Sequence, residues 1–299
     1  MNPKTIIKTL LLSSLFMLFA ADLDAARKRK KKPRFKPYIM AMETVEKKAD
    51  VITDVKAKLV EQGFVVAGEY QPTDNASVIA VTHPVLQKIA AETQFGGYGS
   101  VIRVGVTQVD DKVQVAYMNP TYMSYAFRMN ELTDVKAALT AALGEGKTYG
   151  SKRGITKNSL SDYTYMMFMP EFTDHDELAS FADHKEALAT INANLAANKG
   201  GMSKVFEVSL PGKDETLIGV GITKGDGADK LIMDTIDGKP QKHTPHLPYA
   251  VLVSGDTAYA LAGKFRIAIA FPDLGMGDFM EISDAPDAIK DSFTELTKK

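Results

Sequence analysis

Two of the five histidines, His243 and His246, stand three residues apart in the segment His-Thr-Pro-His. Pro245 and Pro248 exclude a regular helix there, so no helical face aligns the two imidazoles. A loop pair of this kind can bind zinc or copper when a further ligand, such as His175, comes from elsewhere in the chain. Metal binding by His243 and His246 is therefore one hypothesis, and a pair of solvated imidazoles is the alternative.

Arg103, Gln114 and Arg266 are the second set of candidate ligand-binding residues. We expect Arg103 and Gln114 on one face of two neighbouring strands, on the side that carries Ala116. Arg266, followed by Ala268, has the matching place in the second half of the chain. Arginines beside small residues can form a shallow site for an anion or another ligand, or they can let two sheets approach closely. A solvated or paired sheet face is the alternative.

Other chemistry has little support in the sequence. The segment Gly144-Glu-Gly-Lys-Thr148 lacks the first glycine of a phosphate-binding loop, because position 141 is alanine, and it follows a helix rather than a strand. The chain has no cysteine, which excludes disulfides and thiolate chemistry. The 14 methionines suggest either copper(I) binding or ordinary core packing. Since no nucleophile-elbow or helical zinc-protease motif occurs, we predict no cofactor and favour a non-enzymatic protein.

The charge of the chain is unevenly distributed. The totals are 36 basic and 37 acidic residues, but eight of the basic ones lie within residues 27–36. Setting these aside, together with the two lysines and two aspartates of residues 1–25, leaves 26 basic and 35 acidic residues. The acidic body argues against nucleic acid as a partner. A hydrophobic content of 45% is sufficient for a packed core in each of two domains.

The N-terminus has the features of a secretory signal peptide. Residues 1–25 combine two early lysines with an apolar run and end in Leu23-Asp-Ala25, which predicts cleavage after Ala25 and a periplasmic location. Residues 26–37 are then expected to be a basic, disordered tail, because like charges repel. Its cations at 27–36 suggest attraction to an anionic membrane surface. They also oppose translocation, so an uncleaved N-terminal membrane anchor is the alternative.

Alternating apolar residues and helical stripes divide the rest of the chain into two similar parts. The first domain, residues 38–144, is predicted to run β-α-β-β-α-β-β-α. Residues 145–162 are rich in glycine, serine, lysine and threonine and are predicted to be a linker. The second domain, residues 163–299, repeats the order, beginning with a strand at residues 163–169 and including a strand at residues 264–271.

An apparent internal repeat supports this division. Residues 112–120 align with residues 264–272 without a gap, and both segments alternate and end at a proline. Bulky residues occupy one predicted face and small or polar residues the other, as in a sheet with helices on one side. We therefore expect two duplicated α+β domains that pair as an internal pseudo-dimer.

Each half resembles the domain-of-unknown-function 302 family. In the first half the resemblance rests on Gly63-Phe64 after a helix and on Asn119-Pro120 after a hairpin. In the second half it rests on the segment from Phe206 to Gly212, on Leu247-Pro248, and on Phe271-Pro272. The resemblance implies a compact α+β domain similar to the TATA-binding-protein-like fold that tends to pair. It implies no established activity and no catalytic residues.

These observations favour an exported binding or structural protein with an unknown small ligand or protein partner. A periplasmic enzyme, or a zinc- or copper-binding protein with its site near the interdomain cleft, is the alternative. Convergent polar groups with shifted pKa values in a cleft between the halves would favour an enzyme, and a flat apolar or basic patch would favour a binding protein.

Overall fold

The computed structural model describes residues 32–299, and residues 34–299 form one compact unit. The strands of its first part are β1 (Arg34–Phe35), β2 (Tyr38–Thr44), β3 (Val65–Thr73), β4 (Ala76–Thr82), β5 (Ile102–Val109), β6 (Lys112–Met118), β7 (Lys147–Tyr149) and β8 (Ile155–Thr156). The helices of this part are α1 (Lys48–Glu61), α2 (Pro84–Ala91), α3 (Pro120–Ala126), α4 (Thr133–Leu143) and α5 (Lys157–Ser161).

The second part contains five strands and five helices among the residues described. The strands are β9 (His175–Ser180), β10 (Met202–Ser209), β11 (Glu215–Ile222), β12 (Tyr249–Ser254) and β13 (Thr257–Leu261). The helices are α6 (His184–Ala196), α7 (Asp229–Ile236), α8 (Gly263–Ala270), α9 (Met276–Met280) and α10 (Ala285–Leu296). Short 3-10 turns lie at Gly96–Gly99, Lys199–Gly201 and Thr244–His246. The mixture of helices with antiparallel sheets confirms the predicted α+β class.

Two antiparallel sheets follow the same strand order. The first sheet runs β3-β4-β5-β6-β2-β7, and the second runs β10-β11-β12-β13-β9. Apart from the added β7, each strand of one sheet has a counterpart at the same place in the other. The order of helices and strands along the chain is also similar in both halves, with α3 and α8 in the places that follow the last hairpin strand. Elements β1, β7, β8 and α5 of the first half and α9 of the second have no counterpart.

The longer helices each bury one apolar face against a sheet. On α1, Val51, Val55 and Leu59 recur every four residues and are almost fully buried, which is the spacing of one helix face. They pack in a cluster with Val135 of α4 and Val113 of β6. In the second half, α6 and α10 cover the other sheet in a corresponding way through residues such as Ile191, Phe293 and Leu296.

The opposite faces of the two sheets approach each other. Gly68 of β3 is one cause of the close approach, because a Cβ atom at this position would lie 1.9 Å from the carbonyl oxygen of Val205. Phe206 and Leu217 of the second half belong to the same core cluster as Val104 of the first. The halves predicted as separate domains therefore share a continuous core.

The prediction of a strand at residues 264–271 is wrong. Residues 264–270 lie in helix α8, and Phe271 caps its C-terminal end. Nearly every side chain of α8 is buried, including Phe265, Ile267 and Ile269. A helix buried on all sides shows no polar stripe, and a short apolar run cannot then be distinguished from a strand by its periodicity. The gapless alignment of residues 112–120 with residues 264–272 consequently pairs a strand with a helix and does not support a repeat.

The opening strand of the second half also differs from the prediction. Residues 163–169 form no strand, and the edge strand β9 is the more polar segment His-Asp-Glu-Leu-Ala-Ser. Edge strands tolerate polar residues because one side of the strand faces solvent. The predicted linker, residues 145–162, contains β7, β8 and α5, and β7 pairs with β2.

The prediction of a disordered tail at residues 26–37 is wrong for residues 34–37, which are docked on the folded body. Arg34 and Phe35 form β1, which pairs with β8. The ring of Phe35 packs edge-on against Tyr125 with centroids 5.1 Å apart. The backbone oxygen of Pro37 accepts a hydrogen bond of 2.8 Å from the amide of Asn119. Apolar Phe35 and Pro37 thus dock the end of this charged segment.

The predicted signal peptide, residues 1–25, and residues 26–31 lie outside the described part of the chain. Among residues 32–299, none of the helices has the length and apolar character needed to cross a bilayer.

Candidate functional site

The face of β5 and β6 that carries Arg103 and Gln114 is covered by the second half. The side-chain nitrogen of Gln114 donates a hydrogen bond to the backbone oxygen of Pro240 at 2.9 Å. Its side-chain oxygen accepts one from the backbone amide of Lys242 at 3.1 Å. The hydroxyls of Thr107 and Thr244 are 2.6 Å apart. Gln114 therefore holds the second half in place rather than lining a ligand site.

Arg103 is almost completely buried, with 3% of its surface exposed. Its Nη1 lies 3.6 Å from the sulfur of Met118, a weak acceptor, and its Nε has no hydrogen-bond partner among the described residues. The guanidinium also lies 5.6 Å from the centre of the Phe206 ring. Burial, followed by the positive charge of Arg266, lowers the pKa of Arg103 to about 9. The group remains a cation at neutral pH.

Arg266 projects from α8 and is also buried, with 7% of its surface exposed. It donates a hydrogen bond to the backbone oxygen of His246, and its guanidinium lies 5.7 Å from the centre of the Tyr249 ring. Burial lowers its pKa, while Tyr38, Tyr249 and Asp229 act in the opposite direction. Within residues 32–299, no carboxylate oxygen lies within 4.0 Å of either arginine.

A small internal cavity brings the two arginines together. Arg103, Arg266, Tyr98 and Tyr249 line this arginine cavity, with apolar walls that include Phe293. Its volume is about 20 Å³, room for about one or two water-sized groups. The cavity lies between the first sheet, the turn that carries Tyr98, and α8, so both halves of the chain contribute to it.

Two unpartnered phenols complete the polar lining of the arginine cavity. The hydroxyls of Tyr98 and Tyr249 are buried and have no hydrogen-bond partner among the described residues. Burial raises the pKa of both, so both remain protonated hydrogen-bond donors at neutral pH. Buried polar atoms are nearly always satisfied in native proteins. The arginine cavity therefore brings together one guanidinium nitrogen and two hydroxyls that can donate hydrogen bonds to an acceptor.

The two candidate metal ligands lie close together but have other partners. Nδ1 of His243 lies 2.8 Å from Oδ1 of Asp237, whose Oδ2 accepts a hydrogen bond from the His243 amide. Nδ1 of His246 lies 2.8 Å from the backbone oxygen of His243 and must carry the proton of that bond. Across residues 32–299 no group of three or more metal-ligating side chains is positioned to hold an ion.

His246 borders a second cavity of about 20 Å³, which we call the histidine cavity and which also contacts Arg266, Tyr38 and Tyr122. Nε2 of His246 is buried and has no partner among the described residues. Burial and the nearby charge of Arg266 lower the pKa of His246 to about 3. The imidazole is therefore neutral at neutral pH, and its Nε2 is a free acceptor.

The three predicted ligand-binding residues thus do not form one site. Arg103 and Arg266 line one cavity, whereas Gln114 contacts Pro240 and Lys242 elsewhere on the interface. The predicted third metal ligand, His175, stacks within an aromatic cluster, 4.2 Å from the ring of Phe95. Sequence reasoning missed Tyr98 and Tyr249, because a tyrosine after glycines or at a strand start carries no signal of its own.

Comparisons of the chain with known protein families, with curated proteins and with solved structures gave no match.

Proposed function

We propose that the protein is an exported, non-enzymatic binding protein whose ligand is a small anion held in the arginine cavity. The observation that carries this proposal is the pair of buried cations, Arg103 and Arg266, on one cavity without a carboxylate partner in the described chain. Burying unpaired like charges is costly, and an anion between them would remove much of that cost.

The lining indicates the chemistry of the ligand. Guanidinium nitrogens and the hydroxyls of Tyr98 and Tyr249 supply hydrogen-bond donors, which suit an oxyanion or a halide. The volume of about 20 Å³ limits the occupant to a few atoms, such as chloride, formate or bicarbonate. Apolar walls strengthen the electrostatic attraction, because they exclude water from the charges.

A periplasmic enzyme is the second candidate, favoured by the neutral His246 with its free Nε2 beside Arg266. A neutral imidazole in hydrogen-bond reach of a substrate can act as a general base. A pKa of about 3 makes His246 a weak one, however, and neither cavity admits a substrate of more than a few atoms. Anion binding therefore accounts for more of the geometry than catalysis does.

Metal binding has less support than either anion binding or catalysis. The Nδ1 atoms of His243 and His246 both have partners within the protein, and the charge of Arg266 beside His246 repels a metal cation. The donor-rich lining of the arginine cavity suits negative rather than positive ligands.

We further propose that the two halves arose by duplication and that the periplasm is the site of action. The shared strand order of the two sheets supports the duplication, with α3 and α8 as counterparts. The leader-like residues 1–25 support export, and membership of the domain-of-unknown-function 302 family remains part of the same proposal.

Anion titrations of the full chain test the proposed function. In a buffer of bulky sulfonates, unfolding by urea is followed while chloride, formate or bicarbonate is added. A ligand of the native state at 100 times its Kd raises the free energy of unfolding by about 2.7 kcal/mol. Arg103→Gln and Arg266→Gln should abolish this increase. Arg128→Gln should retain it, because Arg128 is a partly exposed arginine paired with Glu171.

Equal stabilisation of the wild type and both cavity variants would mean that the anion acts elsewhere. The absence of any stabilisation by these three anions, together with no small anion retained in native mass spectrometry of the full chain, would contradict the proposal.

A further inference from the structure

We propose that the loop of residues 166–169 inserts into the surface of an anionic lipid bilayer. The proposal concerns a different surface from the arginine cavity and does not depend on anion binding there. It rests on exposed apolar side chains at the tip of a tethered loop and on cationic residues beside them.

The tip of this loop exposes three large apolar side chains in succession. Met166, Met167 and Phe168 are 44%, 79% and 98% exposed. Phe168 has a backbone φ of 66°, in the left-handed region that bulky residues rarely adopt. The turn thus carries a conformational cost at a residue whose ring is 98% exposed.

Both ends of the loop are fixed to the protein. Before the tip, the hydroxyl of Tyr165 donates to the backbone oxygen of Leu274 at 2.8 Å, and that of Tyr163 donates to Ala268 at 3.1 Å. After the tip, Phe172 is buried in the core. An apolar tip on a tethered base can enter a bilayer interface without unfolding its supports.

Cationic residues share the surface next to the loop. Lys152 and Arg153 are exposed and line an open groove together with Tyr163, Tyr165 and two carboxylates, Asp162 and Asp273. Arg34 reaches the same groove wall, since its Nε donates to the backbone oxygen of Arg153 at 2.8 Å. The sequence just before Arg34 is the polybasic stretch, and the remainder of the body is acidic.

This combination selects one partner. Clustered lysines and arginines are attracted to anionic headgroups. Apolar side chains beside such a cluster add insertion into the acyl boundary, and stable docking generally needs two such signals. An anionic bilayer uses both the apolar tip and the basic residues that lead to Arg34.

A tryptophan probe in the full chain tests the inference directly. The chain contains no tryptophan, so Phe168→Trp introduces a single indole fluorophore at the loop tip. We expect a blue shift of its emission, and quenching by brominated acyl chains, on vesicles that contain phosphatidylglycerol. Vesicles of phosphatidylcholine alone should produce neither effect. Adding charge reversals at Lys152→Glu and Arg153→Glu should weaken the vesicle response several-fold.

Val45→Trp is the matched control, because Val45 is 76% exposed and lies between β2 and α1. Its emission should not change with either vesicle, although both variants share the same leader and basic stretch. An unchanged emission from the Phe168→Trp protein would overturn the inference. So would an equal shift on neutral vesicles, or an equal shift from the control, which would indicate general adsorption. Circular dichroism of each variant verifies that the fold is intact.

Discussion

The hydroxyl of Tyr70 donates a hydrogen bond of 2.6 Å to Oδ2 of Asp229, joining the first sheet to helix α7 of the second half. Asp229 is fully buried, and its Oδ2 also accepts from the amide of Ile222 at 3.0 Å. Its Oδ1 has no partner among the described residues. The carboxyl group is therefore a buried polar junction between the halves, held by two donors.

Removing the phenol should weaken this junction. Tyr70→Phe keeps the ring but leaves Asp229 with one donor, so we expect the free energy of unfolding to fall by about 1–3 kcal/mol. Urea denaturation of the two proteins measures the difference. Tyr165→Phe is a control, because it removes a hydrogen bond to the backbone oxygen of Leu274 in a more exposed loop. A loss no larger than that of the control would show that the junction contributes little.

The protonation of Asp229 should contribute to the pH dependence of the free energy of unfolding. Burial raises its pKa from the ordinary value of 3.8 to about 7. As pH rises from about 4 to about 7, the unfolded chain loses this proton while the folded chain retains it. The contribution of the raised pKa to stability is therefore complete below about pH 4 and is lost by about pH 7.

Asp229→Asn removes this proton from both states. The free energy of unfolding of the wild type, relative to the variant, should fall with pH across that window by up to about 1.4 kcal/mol per unit. It should level off above pH 7. Parallel pH profiles for the two proteins would contradict the raised pKa.

Whether Arg103 stabilises or destabilises the fold can be tested in the absence of anions. Arg103 has only a sulfur contact for hydrogen bonding, so Arg103→Met replaces a buried, poorly paired cation by an apolar side chain of similar length. We expect the free energy of unfolding in sulfonate buffer to be unchanged or to rise by about 1–4 kcal/mol. A loss of more than about 3 kcal/mol would instead indicate that a partner compensates the charge of Arg103.

The close approach of the sheets at Gly68 should make that position intolerant of a side chain. A Cβ there would lie 1.9 Å from the backbone oxygen of Val205, which belongs to a strand and cannot rotate away. Gly68→Ala should cost at least about 1–3 kcal/mol by overpacking. Gly277→Ala is the control, since no atom lies within 4 Å of its added Cβ. Similar unfolding midpoints for the two variants would refute the tight contact.

The end of the basic segment should contribute to stability despite its charge. Phe35 is half-buried against Tyr125 and lies in a strand paired with β8. Phe35→Ala should lower the melting temperature, with a loss of about 1–3 kcal/mol from lost apolar burial. Lys32→Ala, at an exposed neighbouring position, should leave it unchanged. Equal melting temperatures for both variants would restore the prediction of an undocked tail.

Local sequence signals determined many elements of this protein. Helix α1 follows from apolar residues at every fourth position and from Gly63, whose φ of +82° favours glycine after a helix. The hairpin of β5 and β6 follows from two alternating runs on either side of Asp110-Asp111. Such elements are predictable because periodicity and turn residues act over a few neighbouring residues. Each element also has one face exposed to solvent, so its polar residues mark which residues are buried.

The tertiary structure alone decided what lies between the halves. Helix α8 is buried on nearly every side, so its sequence shows no alternation between a solvent-exposed and a buried face. For this reason the sequence places Arg266 on a predicted strand. The arginine cavity depends on Arg103, Arg266, Tyr98 and Tyr249, which are distant in sequence and meet only when the two sheets pack. A single arginine or tyrosine reads as an ordinary surface residue. Its burial without a counter-ion is a property of the assembled interface, because that interface removes both the water and the alternative partners.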